Sequence, residues 1–155
     1  MKASYKFLLP LLVALVISVV LFSGRGNSGA FGVETDFYGY YAPHAKSIIE
    51  DHKILIDDFR GPLYPIVLAL FVVVTGQSYW IAAFILNLVF LAVTFLGMSR
   101  LMKHLDIKGR FGYWLFALSP LLIVYVIQAG TDVLFMALCV WAVVEFNRAR
   151  DYLIA

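Results

Sequence analysis

A chain of 155 residues in which 63% are hydrophobic and 14% charged has too little polar surface to face water on all sides. That excludes a soluble globular domain and leaves an integral membrane protein. The formal net charge of +2 comes from basic residues scattered through short loops rather than gathered in one stripe, so nucleic acid is excluded as a partner. Cys139, the single cysteine, lies in an apolar run; it forms no intramolecular disulfide and reads as a small core residue.

Crossing a hydrocarbon core of roughly 30 Å takes about 20 apolar residues in a helix. The first tract of that kind, residues 5–23, follows Lys2 and Lys6 and could also be a secretory leader. Its length and the lack of a small-x-small site before Arg25 predict an uncleaved anchor. A polar loop, residues 24–61, comes next. It holds six of the ten acidic residues (Glu34, Asp36, Glu50, Asp51, Asp57 and Asp58), with His44, His52 and the aromatics Phe37, Tyr38, Tyr40 and Tyr41. Its opening, GRGNSGAFG, is glycine-rich but lacks the lysine of a phosphate loop and is read as a connector. Further on, Thr35 or Asp36 can cap an amphipathic interfacial helix over 36–51. Phe37, Tyr41, Ala45, Ile48 and Ile49 form its apolar side, Lys46, Ser47 and Glu50 its polar side, and Pro43 should kink it near Gly39.

The apolar run 62–75 opens at Gly61-Pro62, where proline suits a first helical turn. As a helix it reaches only about 20 Å, so it is predicted to be juxtamembrane or re-entrant. Three further spans are predicted over 79–98, 111–128 and 132–147, making about four with the first. Charge supports the same count. If 62–75 does not span, Lys2 and Lys6, the loop with Arg100, Lys103, Lys108 and Arg110, and Arg148 with Arg150 all fall in the cytoplasm. The N-terminus is then cytoplasmic, and the acidic loop and the turn before Asp132 face outward. The expected fold is therefore all-α, one membrane domain over 1–155, in a plasma or inner membrane.

The segments ETDFYGYYAPHAKSII, FRGPLYPIVLALFVVVTG and ALSPLLIVYVIQAGTDVLFMALCVW, in this order after an anchor helix and around a basic loop, resemble the N-terminal part of the GT-C membrane glycosyltransferases. The likeness is to the protein O-mannosyltransferases and the lipid A aminoarabinose transferase in particular. It covers nearly all of this chain but about the first third of a typical member, which implies further helices beyond Ala155 or a membrane partner that supplies them. It implies a polyprenyl-phosphate-linked sugar donor, an active face on the exoplasmic side of the bilayer, and an acceptor the sequence does not name.

The resemblance also implies roles for single residues. Asp36 matches the catalytic carboxylate that deprotonates or orients the acceptor hydroxyl; a carboxylate near apolar walls gains basicity. As an N-cap it could serve the helix as well. Arg60 matches the basic residue that holds the donor phosphate, for which a guanidinium offers paired donors; an interfacial arginine reaching for headgroups is the plainer reading, and Lys53 a poorer candidate. Asp132 matches an acidic residue of the second exoplasmic loop and also suits a helix start by its charge alone. Glu34, two residues before Asp36, is a supporting acid, a weaker candidate for the same job or for a metal. Some members hold a divalent metal with an acid just before the basic residue. Here Phe59 stands there, and His44 and His52 have no zinc-site spacing and read as surface residues. Two rivals remain from other classes. One is a transporter component, for which Asn87 and Pro120 are the only mid-span cues; the other is a small non-catalytic membrane subunit.

Overall fold

A computed structural model describes residues 5–24, 36–56, 60–107 and 109–154. The glycine-rich connector, Glu34, Thr35, Asp57, Asp58, Phe59 and Lys108 lie outside the described residues. All regular structure among the described residues is helical: a 3-10 turn Tyr5–Phe7 running into α1 (Leu8–Gly24), a π turn Phe37–Tyr41 running into α2 (Ala42–Glu50), α3 (Leu63–Thr75), α4 (Tyr79–His104), α5 (Phe111–Ala117), α6 (Pro120–Ile127) and α7 (Asp132–Ile154).

Among the described residues α4 is the one helix long and apolar enough to cross a bilayer by itself. Helices α1 and α3 are shorter, and α6 with α7 meets the requirement of length and apolar character only as a pair bent by 120°. The expectation of about four spans is thus met clearly by one helix. Within the stretch expected as a single span, 111–128, the helix breaks at Leu118–Ser119. Pro120 drives Ser119 out of the helical region, to ψ 118°, and the Ser119 hydroxyl accepts from the Leu122 N–H to start α6 afresh.

Helix α4 is the axis of the molecule. Around its second half, α1, α5, α6 and α7 close a core that includes Leu11, Ala14, Leu91, Phe95, Tyr113 and Val126. Around its first half, the π turn, α2 and α3 close another on Phe37, Ala45, Tyr64, Leu68, Ala82 and Leu86. Helices α4 and α7 run side by side in the same direction. Gly97 lets them approach: a Cβ there would stand 2.7 Å from Val140 Cγ1. Trp141 donates from Nε1 to the Val93 carbonyl at 3.0 Å, Arg100 lies over its ring, and His104 pairs with Asp151 at the far end. Cys139, read from sequence as a core residue, is exposed, because α7 turns that side away from α4.

Helix α3 does not carry the chain from one end of α4 to the other. Tyr64 in its first turn packs on Tyr41, and Trp80, just beyond its end, packs on Phe37 and Tyr38, so both ends return to the same turn. Gly76 makes the reversal, closing α3 in the left-handed region at φ 62°. The apolar side of α2 lies against α3: Phe37 and Ala45 are fully buried, and Tyr41, Ile48 and Ile49 pack on the same cluster. Lys46 and Glu50 face outward as a pair.

Candidate functional site

The predicted kink at Pro43 takes the form of the π turn. Proline has no N–H to offer the carbonyl four residues back, that of Gly39, and the backbone widens so that the Ala42 N–H bonds to the Phe37 carbonyl. Asp36 enters this turn already in helical geometry, and its carboxylate makes no cap. The N-cap reading of Asp36 is therefore wrong for this fold. The carboxylate is engaged elsewhere: Arg60 donates from Nη2 to Asp36 Oδ1 at 2.7 Å, with the side chains 54% exposed for Asp36 and 30% for Arg60.

Tyr40, four residues after Asp36, makes two contacts with Arg60. The Tyr40 hydroxyl donates to the Arg60 carbonyl at 2.9 Å, and its ring lies under the guanidinium, 5.1 Å from centroid to Cζ. His44 stacks on the same ring at 3.7 Å and its Nδ1 lies 2.7 Å from the Tyr40 carbonyl, so it is a half-buried support rather than the surface residue its sequence context suggested. An aromatic ladder, Phe84 to Phe22 to Trp80 to Tyr38, ties the turn to the ends of α1 and α4.

Asp132 arrives from the other side. Helix α6 ends at Ile127, where its last carbonyls lack intrahelical donors. Buried Asn87 on α4 supplies them: its Nδ2 stands 2.6 Å from the Gln128 carbonyl, 3.2 Å from that of Val126 and 3.4 Å from that of Tyr125. Asn87, a transporter cue in the sequence, thus caps α6 and fixes the turn from which Asp132 opens α7. The Asp132 carboxylate folds back over Gly130, where a Cβ would meet Oδ2 at 3.1 Å.

Asp36, Arg60 and Asp132 line one open groove of about 440 Å³, together with Tyr41 and Tyr64. Its lining carries two carboxylates and one guanidinium, and an apolar part from Leu134, Phe135 and Leu138. Lys6, Lys103 and Tyr113 line a separate cavity of about 160 Å³ at the other end of α4. Lys53 is exposed and does not line the groove. Among the described residues no three His, Cys, Asp or Glu side chains come together as a metal site. Sequence reasoning missed Tyr40 and Tyr64. The spacing of four from Asp36 to Tyr40, within one predicted helix, was the signal available for the first; Arg60 precedes α3, so its spacing to Tyr64 gave none.

This arrangement suits transfer of a phosphate-linked group: a cation to hold the phosphate, a carboxylate beside it to take a proton, and an apolar wall for a lipid or a sugar face. Among curated proteins and among solved structures, nothing is significantly similar to the chain. The family model for the alpha-(1->6)-mannopyranosyltransferase N-terminal domain matches residues 60–155, which takes in Arg60, Tyr64 and Asp132 and begins after Asp36. With more than half of its length matched, the chain belongs to this MptA/B mannosyltransferase family.

Proposed function

We propose that this chain is the N-terminal part of a GT-C membrane mannosyltransferase that takes mannose from a polyprenyl-phosphate donor and passes it to an acceptor hydroxyl at the exoplasmic face. The family membership supports glycosyl transfer, and the ion pair of Asp36 with Arg60 in the groove lining carries the mechanistic reading. Arg60 leaves Asp36 to bind the donor phosphate, and the freed carboxylate accepts the proton of the acceptor hydroxyl. The acceptor oxygen bonds to the anomeric carbon as the bond from that carbon to the phosphate oxygen breaks. The electron pair leaves with polyprenyl phosphate, whose charge the guanidinium stabilises. Inversion at the anomeric carbon follows from a single displacement.

In the bilayer, α1, α4, the broken pair α5–α6 and α7 would be the four spans. Its leading 3-10 turn extends α1 to about 31 Å, close to the hydrocarbon thickness. Basic residues at one end of α4 and the acidic groove at the other agree with a cytoplasmic Lys6–Lys103 end and an exoplasmic groove.

The test is transfer from polyprenyl-phosphate mannose by the complete protein in membranes. Asp36→Asn should lower turnover at least 100-fold, the usual worth of a general base, with insertion intact. Undiminished turnover would leave the Asp36–Arg60 pair a strap between the π turn and α3, and a non-catalytic subunit the better reading.

A further inference from the structure

One polar group in the groove wall has no part in the chemistry above. Tyr64, in the first turn of α3, is 2% exposed, and its hydroxyl is buried without a hydrogen-bond partner among the described residues. A hydroxyl left in that state costs about 1–3 kcal/mol, and a phenylalanine ring would fill the same space without the cost. Asp132 likewise makes no hydrogen bond or ion pair with the described residues, although it lines the same groove. Its charge, after burial and Tyr41, helps raise the Tyr64 pKa above the ordinary phenol value, so the hydroxyl keeps its proton and can donate.

The groove lining carries charges of both signs. Arg60 attracts a phosphate; Asp132 repels one and suits a neutral, hydroxyl-rich group. We propose that Tyr64 and Asp132 form the subsite for the donor's hexose, the phenol donating to one sugar oxygen and the carboxylate accepting from a neighbouring sugar hydroxyl. This inference rests on Arg60 as the phosphate holder. Tyr64 follows Arg60 by four residues, and in such a donor the hexose is bonded directly to the phosphate. Leu63 and Phe135 line the groove and are exposed, so they can turn aside as the sugar enters.

The experiment compares two lipids on the complete protein: polyprenyl phosphate without sugar, and polyprenyl-phosphate mannose. Wild-type protein should bind the mannosylated lipid more tightly. Tyr64→Phe and Asp132→Asn should each weaken binding of the mannosylated lipid about 5- to 10-fold and leave the sugar-free lipid unchanged. Tyr64→Phe should melt no lower than wild type, since the hydroxyl bonds to nothing within the described fold. If Tyr64→Phe weakens both lipids equally, or neither, the subsite is overturned. The same holds if it raises only the KM for the acceptor. If Arg60→Ala leaves binding of the sugar-free lipid unchanged, the phosphate reading itself has failed, and the subsite with it.

Discussion

Asn87 makes a demanding test of how the groove is built, because its three carbonyl contacts lie about 40 residues away in sequence and hold no ligand. An amide nitrogen carries two hydrogens, so the contacts at 2.6 and 3.2 Å to Gln128 and Val126 carry most of the bonding. Asn87→Leu keeps the volume and removes the donors, leaving these carbonyls at the end of α6 buried and unpaired. At about 1–3 kcal/mol for an orphaned carbonyl, and nearer 0.6 for a typical bond between membrane helices, the loss comes to about 2–4 kcal/mol. For a domain of this size that is a fall of roughly 5–15 °C in apparent melting temperature, read by thermal unfolding in detergent. Asn87→Asp should be worse, since it turns a carboxylate toward three carbonyl oxygens. The turn that carries Asp132 should loosen too, so trypsin, at an introduced Thr131→Lys, should cut the Leu variant faster than its parent. An Asn87→Leu protein that melts within 1–2 °C of wild type would refute the capping role.

Gly97→Ala should cost about 1–3 kcal/mol by driving a methyl into Val140 and Trp141, and a neutral result would mean that α4 and α7 are not in such close contact. Ile48→Asp should release α2 from α3, because a charge on that side must be desolvated; faster proteolysis within residues 51–56 reports it, and unchanged digestion would show that the side does not need burial. Arg60→Ala should weaken polyprenyl phosphate binding about tenfold, and added salt should do so more mildly, since the side chain is part-exposed; no loss of binding would remove Arg60 from the donor site. In a Cys139→Ala background, cysteines replacing Lys103 and His52 should label with an impermeant reagent from opposite sides of the membrane, and labelling of both from outside would overturn the four-span reading.

Local chemistry made part of this protein legible in its sequence. Apolar runs bounded by Gly, Pro and charge foretold helices over 5–23, 62–75 and 79–98, near the observed Leu8–Gly24, Leu63–Thr75 and Tyr79–His104, and Pro43 announced a disturbance at Gly39, because helix formation and its interruption depend on neighbours within four or five residues. The resemblance to the GT-C glycosyltransferases singled out Asp36, Arg60 and Asp132, which line one groove. What those side chains do is a different matter. Whether the Asp36 carboxylate would cap its own helix or reach an arginine 24 residues on depended on where the π turn laid it against the start of α3. Asn87 looked like a polar intruder until α6 ended against it. Tyr40 and Tyr64 looked like ordinary aromatics until packing left one hydroxyl bonded to the Arg60 backbone and the other buried with no partner among the described residues. Composition and periodicity specify which residues are apolar and how far a helix runs. Only the packing of helix on helix decides which polar atoms meet, because those meetings are set by faces and crossing points that no local stretch of sequence contains.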